Sequence, residues 1–533
     1  MKKIVSLKTL LFIGTSIALG GLITVLMDQN GKLYGWFITS LLLGLSFFVL
    51  FLLFRKAGSA RLLGWMMVVA FFLRLGLGIT LMKALPVVGY DTEQQKAGYV
   101  FYDSFRREWQ AMDIARSDKP ILSVFSKKYA TDQYGGYLGL SVFVYRVLSG
   151  GDYRPHLILI LSALAAAMGV PFLWMILSRL QTGTGSWHKF AGWWYVLYPQ
   201  SVLLGASQMR EPFLVTFVTI VFWAATEWQY SGIKASWAWL LTGLLGMLLI
   251  SPGVALLSLI ILAVWIWLDR SKKNITWWIF PVVLVIIIIA TVLMAYGLAR
   301  QEHFSKDSPI EIILNWFRNS AAWDANLTQE ASGRLEFIFK YIPEWSQLPF
   351  IITYGILQPV LPATIMDTSA WIWRVLTIYL ALGWYLLLPL IVYGSVSAFF
   401  EQDRTLRNKM LWLTVVIWSW IFVCSTRAGG DMWDNPRYRT IILVFLVIFA
   451  AWAWEHARSK KFVWLKRSIL VEGIFLLFFM QWYAARYYRI FGKMPFFTMI
   501  GVILGLSLLV IIGGIVKDKV LANRQKSIPQ EIK

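Results

Sequence analysis

Long runs of apolar residues, separated by short polar or basic stretches, recur along the whole chain. Many of them reach roughly 18 residues or more, which is long enough to cross about 30 Å of hydrocarbon as a helix. One such run, from Trp277 to Ala295, contains no charged residue at all. The pattern predicts an all-α polytopic membrane protein with about 13–14 transmembrane helices, which form a single integral membrane domain over residues 1–533.

Basic residues divide these runs into a consistent topology. Because Lys2, Lys3 and Lys8 precede the first helix, which we interpret as a retained span and not a cleaved signal peptide, we place both termini in the cytoplasm. Every short loop that this choice assigns to the cytoplasm is then basic. The predicted spans are 9–27, 34–54, 62–83, 156–178, 190–205, 212–229, a pair turning at 251–253, 275–297, 371–399, 410–425, 440–454, 468–485 and 495–516.

Two long polar segments fall on the extracytoplasmic side in this topology. The first, 84–155, is the longest polar stretch of the chain and includes an amphipathic surface helix at 137–148. The second is 298–370. Within it, residues 348–365 are predicted to form either a re-entrant or surface helix or a full span. Long loops within a compact fold commonly carry function, so we expect the site at the first of these loops.

Composition removes several classes of function. The chain is 58% hydrophobic, and its net charge of +22 is explained by loops that set orientation and meet anionic lipid headgroups, so we expect no nucleic-acid partner. Cys424 is the single cysteine, which excludes an intramolecular disulfide and a cysteine-based metal cluster. The four histidines are scattered, and the HExxH, Walker and GxSxG motifs are missing. Carboxylates, arginines and aromatic residues remain for chemistry outside the membrane.

Four short segments then carry a resemblance. They are Tyr102-Asp103-Ser104 followed by Ala111 and Ala115, Asp132–Tyr137 continuing to Leu148-Ser149-Gly150, Tyr198-Pro199 followed by Ser207–Glu211, and Arg437-Tyr438-Arg439. Together they resemble the GT-C superfamily of polytopic membrane glycosyltransferases, which includes protein O-mannosyltransferases and aminoarabinose transferases. The chain differs from that pattern in having two extra helices before the acidic loop. The resemblance implies transfer of a sugar from a polyprenyl-phosphate-linked donor, with an essential aspartate in the first large loop.

Two aspartates compete for the catalytic role in that loop. Asp103 matches the family's aspartate in position, and Asp91 lies nearer the membrane. Deprotonating an incoming hydroxyl or amine needs a base, and a carboxylate beside a low-dielectric surface can supply one. Glu211 follows in the second exterior motif, where it is also a first-turn acid favoured by the helix dipole. No metal ligand is assigned, although Asp103 and Glu211 could hold a divalent ion or act without one.

Arginines at predicted helix ends are the candidates for binding the donor. Arg210, Arg437 and Arg439 would lie at headgroup depth, and Tyr438 stands between two of them. A guanidinium is planar and always charged, and it can bind phosphate through two parallel hydrogen bonds. We therefore expect these residues and Glu211 to form the substrate-binding part of the site.

The prediction is thus a cell-membrane glycosyltransferase with an extracytoplasmic active site. Its expected partners are a polyprenyl-phosphate sugar donor, membrane lipid, and a glycan, lipid or protein acceptor that the sequence does not specify. Two alternatives stay open: a flippase or transporter for lipid-linked glycans, and a glycan polymerase or ligase that uses the same lipid donors. Transporters place polar groups near the bilayer midplane, whereas the predicted spans here are almost free of charge.

Overall fold

The computed structural model describes residues 7–28, 32–129, 134–180, 186–231, 236–268 and 342–526, with a few isolated positions between 285 and 319. The described residues contain helices and no strand, so the predicted all-α polytopic membrane fold is confirmed. The α-helices are α1 Leu7–Met27, α2 Lys32–Lys56, α3 Arg61–Val88, α4 Glu93–Lys96, α5 Tyr102–Arg116, α6 Gly136–Phe143, α7 Pro155–Leu180, α8 Ser186–Leu197, α9 Pro199–Gly205, α10 Glu211–Ser231, α11 Trp237–Ile250, α12 Pro252–Leu268, α13 Glu344–Leu357, α14 Leu361–Ile365, α15 Trp371–Ser397, α16 Arg404–Ala428, α17 Asp434–Arg439, α18 Leu443–Ser459, α19 Val463–Tyr487 and α20 Phe496–Lys526.

Seven helical stretches of the described chain are long and apolar enough to cross a membrane. They are Lys32–Lys56, Arg61–Val88, Pro155–Leu180, Trp371–Phe400, Arg404–Ala428, Asp434–Ser459 and Phe496–Leu521. The sixth of them combines α17, a short 3-10 turn and α18, so its first turns carry Arg437 and Arg439.

Proline residues break two of the predicted segments. The predicted span 190–205 is divided into α8 and α9 at Tyr198, because Pro199 lacks an amide hydrogen and begins a new helix. The segment 348–365 is two helices, α13 and α14, separated around Pro359, and neither reaches the roughly 20 residues that a single span needs. The predicted span 275–297 and the second long segment up to residue 341 lie largely outside the described residues.

The chain folds as two compact units, each built from two separate stretches of sequence. The first comprises Met1–Ile356 and Val415–Ile448. At its centre α7 packs against α2, α3 and α10, and most side chains of α7 are buried. The charged side chain inside α3, Arg74, is 1% exposed and donates to the carbonyls of Ala70 and Val196 and to Ser201 Oγ at 3.0–3.1 Å. Those hydrogen bonds stabilise the charged side chain of Arg74, which would be costly to expose to lipid.

The second unit comprises Leu357–Thr414 and Phe449–Lys533. Its helix α19 packs against both α15 and α20. Trp482, Tyr483, Met499 and Ile503 form a buried apolar cluster between α19 and α20. Most of the apolar surface of α20 stays uncovered, as expected for a helix that faces lipid.

The first long loop is a folded layer and not an irregular connection. After α4, helix α5 packs against α6, which continues as a π-helical turn over Val144–Leu148. Together α6 and this turn occupy the predicted surface helix at 137–148. The inward face of α5 buries Arg107 and Glu108, while Asp103 in its first turn stays about half exposed. The amphipathic pattern of α5 therefore fixes which charged side chains remain accessible.

Candidate functional site

Three segments that lie far apart in the sequence meet at Arg437. Nη1 of Arg437 is 3.1 Å from Asp103 Oδ2, and Nε is 3.1 Å from Glu211 Oε1. Asp103 lies in the first turn of α5, Glu211 is the first residue of α10, and Arg437 belongs to α17. All three belong to the first unit. The structure thus brings the predicted acidic motifs and the predicted arginine motif into direct contact.

A third carboxylate completes this group. Asp434 Oδ1 lies 3.1 Å from Nη1 of Arg437, one helical turn away. Nη2 of Arg437 donates to the hydroxyl of Tyr438, which in turn donates to Asp434 Oδ2. Three carboxylates therefore surround one guanidinium, which leaves an excess of negative charge. The side chains of Arg437 and Glu211 are 5% and 1% exposed, whereas Asp103 is 54% exposed and is the accessible acid of the group.

Two more arginines balance the three carboxylates in formal charge. Nε of Arg210 lies 3.9 Å from Glu211 Oε1. The guanidinium carbon of Arg427 is 4.7 Å from the centre of the Tyr438 ring, and that of Arg437 is 4.9 Å from the same centre. Tyr438 is thus held by two cation–π contacts as well as by its hydroxyl.

The arginines determine the charge state of Asp103. Burial alone would raise the pKa of its carboxyl, but the charges of Arg437, Arg107 and Arg210 and the hydrogen bond from Arg437 outweigh burial. The pKa of Asp103 consequently lies below its ordinary value, and its carboxylate is ionised at neutral pH. An ionised carboxylate is the form that can accept a proton.

Hydrogen bonds to one tight turn fix α5 relative to α10. Ser104 Oγ donates to the carbonyl of Ser207 at 2.9 Å, and Arg107 Nη1 donates to the carbonyl of Gln208 at 3.1 Å. Gln208 has a φ of +47°, in the left-handed region that non-glycine residues seldom adopt. Since this turn leads directly into Glu211, it sets the distance between the two acidic motifs.

A cavity of about 110 Å³ lies beside the arginine–carboxylate group. Its polar wall includes Arg210, Glu211, Arg427 and Tyr438. The second carboxylate oxygen of Glu211 is buried, and it has no hydrogen-bond partner among the described residues. The apolar wall is formed by helices α10, α12, α16 and the start of the α17–α18 segment, through Leu214, Val254, Leu257, Val423 and Ile441. The cavity is smaller than a typical ligand pocket of roughly 300–1,000 Å³, so it has room for part of a ligand only, such as a charged head group at its polar wall.

Two predicted site residues lie in other contacts. Asp91 is 87% exposed and forms an ion pair with Lys96 at 2.5 Å. Arg439 is 1% exposed and donates from Nη1 to the carbonyl of Ile356 at 3.1 Å. The structure therefore gathers Asp103, Glu211, Arg210, Arg437 and Tyr438 at one place, and it places Asp91 and Arg439 in different surroundings.

Some residues of this region were missed by the sequence reasoning. Asp434 carries a usable signal, because an acid three residues before an arginine on a helix is a neighbour of that arginine. Arg427 and Glu108 carry no comparable local signal. Glu108 is 1% exposed, accepts hydrogen bonds from Ser141 and Tyr145, and has a pKa raised by burial to about 7. Its burial follows from the packing of α5 on α6, which the sequence does not specify.

The guanidinium of Arg437 occupies the centre of the carboxylate group, which is where a bound cation would lie. In the part of the chain that the structure describes, no group of three His, Cys, Asp or Glu side chains is arranged to hold a metal ion. The site is therefore described as an arginine–carboxylate cluster beside an amphipathic cavity.

No family model, curated protein or solved structure matches this chain.

Proposed function

We propose that the protein is a membrane glycosyltransferase that moves a sugar from a polyprenyl-phosphate-linked donor to an acceptor on the extracytoplasmic face. The observation that carries this proposal is the contact between an accessible carboxylate, Asp103, and a buried arginine, Arg437, beside a cavity with one charged and one apolar wall. A base, a phosphate-binding cation and a surface for an isoprenoid chain are the three requirements of such a reaction.

In the proposed reaction the acceptor hydroxyl or amine attacks the anomeric carbon of the donor sugar. The bond from that carbon to the phosphate oxygen breaks as the new glycosidic bond forms, so the configuration inverts. Asp103 takes the proton of the attacking group. Arg437, with Arg210 and Arg427 nearby, stabilises the polyprenyl phosphate that leaves.

The observed contact between Asp103 and Arg437 suggests how binding prepares the base. A carboxylate held by an arginine is a weak base, because the pair stabilises its ionised form. A donor phosphate that binds Arg437 competes with Asp103 for the guanidinium. Release of Asp103 then raises its proton affinity when the acceptor is present. Arg210 and Arg427, which lie beside the group, supply further positive charge for an incoming phosphate.

The hydrogen bonds of Arg74 bear on the transporter alternative. Transporters for charged lipid headgroups need polar groups that interact with cargo within the membrane. The charged residue inside α3 is instead bonded to neighbouring helices, through Val196, Ser201 and its own turn. This favours chemistry at the membrane surface over passage of a headgroup through the helices.

The test is sugar transfer by the purified chain in reconstituted vesicles. Polyprenyl-phosphate donors with radiolabelled sugars are supplied with crude acceptor fractions, and donor consumption and labelled product are measured together. We expect donor consumption with release of polyprenyl phosphate. Movement of intact glycolipid across the vesicle wall without its consumption would contradict the proposal and establish the flippase alternative.

A further inference from the structure

A second cavity lies between α1 and α2 and is unrelated to the cluster around Arg437. Its volume is about 930 Å³, within the range of ligand-binding pockets. Apolar and aromatic side chains line most of it, together with three serines and one arginine. The lining includes Ser16 from α1, Phe37, Gly44, Phe51 and Arg55 from α2, and Ser59 just after α2.

The groove lies between two helices that approach closely near Gly20 and meet again through the rings of Phe12 and Phe51, whose centres are 5.8 Å apart. A Cβ atom at Gly20 would lie 2.9 Å from the backbone of Ser40, and Trp36 Nε1 donates to the carbonyl of Ile17 at 2.9 Å. Farther along, a Cβ at Gly44 would meet Ser16 Oγ only at 3.7 Å, which is ordinary contact distance. The absence of a side chain at Gly44 therefore leaves the floor of the groove open.

Arg55 provides a positive charge at the end of the groove, in the last turn of α2. Arg55 is exposed, and its guanidinium carbon lies 6.0 Å from the Phe51 ring centre. Among the residues that the structure describes, no carboxylate pairs with Arg55. Its neighbour Lys56 is engaged differently, because its ammonium lies 4.4 and 4.3 Å from the rings of Trp223 and Trp239. Ser59 adds a hydroxyl at the same end.

We infer that this groove binds an anionic glycerophospholipid. One acyl chain would lie among the phenylalanines of α1 and α2, and the phosphate would contact Arg55 and the hydroxyl of Ser59. Charge complementarity selects an anionic headgroup, because the described residues offer no carboxylate to the cation at the groove end. The distance from Phe37 to Arg55 along α2 is about 27 Å at 1.5 Å per residue, which accommodates an extended acyl chain.

This lipid site is separate from the proposed transferase site. Helix α3 begins at Arg61, just after the groove, and ends at Val88, before the loop that carries Asp103. A helix of that length extends about 42 Å, so the two sites lie at opposite ends of α3. Loss of lipid binding and loss of sugar transfer can therefore be measured independently.

The test uses native mass spectrometry of the full chain in detergent with phosphatidylglycerol and phosphatidylcholine of the same acyl chains. We expect one phosphatidylglycerol to be retained in preference to phosphatidylcholine. Gly44→Leu should abolish retention by filling the groove floor, and Arg55→Gln should reduce it about fivefold by removing one cation. The matched controls are Gly76→Leu, at a helical glycine with open space around it, and Arg61→Gln, at a neighbouring cation outside the groove lining.

Photoreactive phosphatidylglycerol with its reactive group in the acyl chain locates the bound lipid. Cross-links to peptides that contain α1 and α2, reduced in Gly44→Leu but not in Gly76→Leu, would support the inference. Equal retention of the two phospholipids, or unchanged retention in both groove variants, would overturn it. Displacement of phosphatidylglycerol by equimolar polyprenyl phosphate would also overturn it, since the groove would then bind a different lipid.

Discussion

Two buried arginines of the first unit show how differently the same side chain can be used. Arg154 Nε lies 2.7 Å from Asp28 Oδ2, and its other nitrogens donate to the Ser149 carbonyl and to Asp152 Oδ2, each at 2.8 Å. The side chains of Arg154 and Asp28 are 0% and 3% exposed. Arg437 instead contacts three carboxylates, of which Asp103 is half exposed. Two of its contact partners, Glu211 and Tyr438, line a cavity.

The difference separates a fixed ion pair from one that can exchange partners. The ion pair between Arg154 and Asp28 is buried from solvent. It links the junction between α1 and α2 to the start of α7. At Arg437 the contacting acid Asp103 is half exposed, and Glu211 keeps one oxygen without a hydrogen bond among the described residues. A ligand phosphate can replace Asp103 there without leaving the arginine unpaired. We therefore infer that Arg154 stabilises the fold and that Arg437 takes part in the proposed reaction.

The largest expected effect on stability comes from breaking the closed pair. Arg154→Gln leaves Asp28 buried without its cation, so we expect a loss of about 3–5 kcal/mol in the free energy of unfolding. Chemical unfolding in detergent measures it. Lys96→Gln is the control, because the side chains of its pair with Asp91 are 61% and 87% exposed and its loss should cost at most about 1 kcal/mol. Equal losses of unfolding free energy in the two variants would contradict the special role of the buried ion pair.

The next largest effect is expected from replacing the planar guanidinium of Arg437. Arg437→Lys keeps the charge that Glu211 needs but loses the planar donor pair, so we expect transfer activity to fall about 10²–10³-fold with the protein still folded. The matched substitution Arg154→Lys should leave the rate per folded molecule close to that of the wild type. A wild-type rate in Arg437→Lys would show that the guanidinium does not act on the leaving phosphate.

A smaller effect separates two of the three acids of α5, Asp103 and Glu108. Burial raises the pKa of Glu108 to about 7 from an ordinary value of 4.5, whereas Asp103 is kept ionised by arginines. The folded state then holds a proton on Glu108 that the unfolded state loses, so this contribution to stability is full below about pH 4.5 and is lost as the pH rises to about 7. Glu108→Gln should flatten the decline in melting temperature across that pH range, and Asp113→Asn, at an exposed acid, should not. A decline that persists in Glu108→Gln would contradict the assignment.

Much of the fold could be predicted from the sequence, because apolar runs and prolines act locally. The span at 156–178 corresponds to α7, and the break at Pro199 has a local cause, although the sequence reasoning passed over it. The contacts of the site depend on packing that no local pattern encodes. Asp103 and Arg437 are recognisable as candidates, but their pairing requires α5 to dock on the turn at Gln208. The burial of Arg439 depends on packing in the same way, whereas Asp91 pairs with Lys96 only five residues along the chain.

The central claim is that Asp103 is the base, and one comparison tests it most directly. Initial rates of labelled-sugar transfer from a polyprenyl-phosphate donor are measured for Asp103→Asn and Asp91→Asn in the same vesicles, with melting temperatures as the check on folding. We predict that Asp103→Asn loses about 10²–10⁴-fold in rate with a near-wild-type melting temperature, while Asp91→Asn keeps its rate. A wild-type rate in Asp103→Asn would contradict the account.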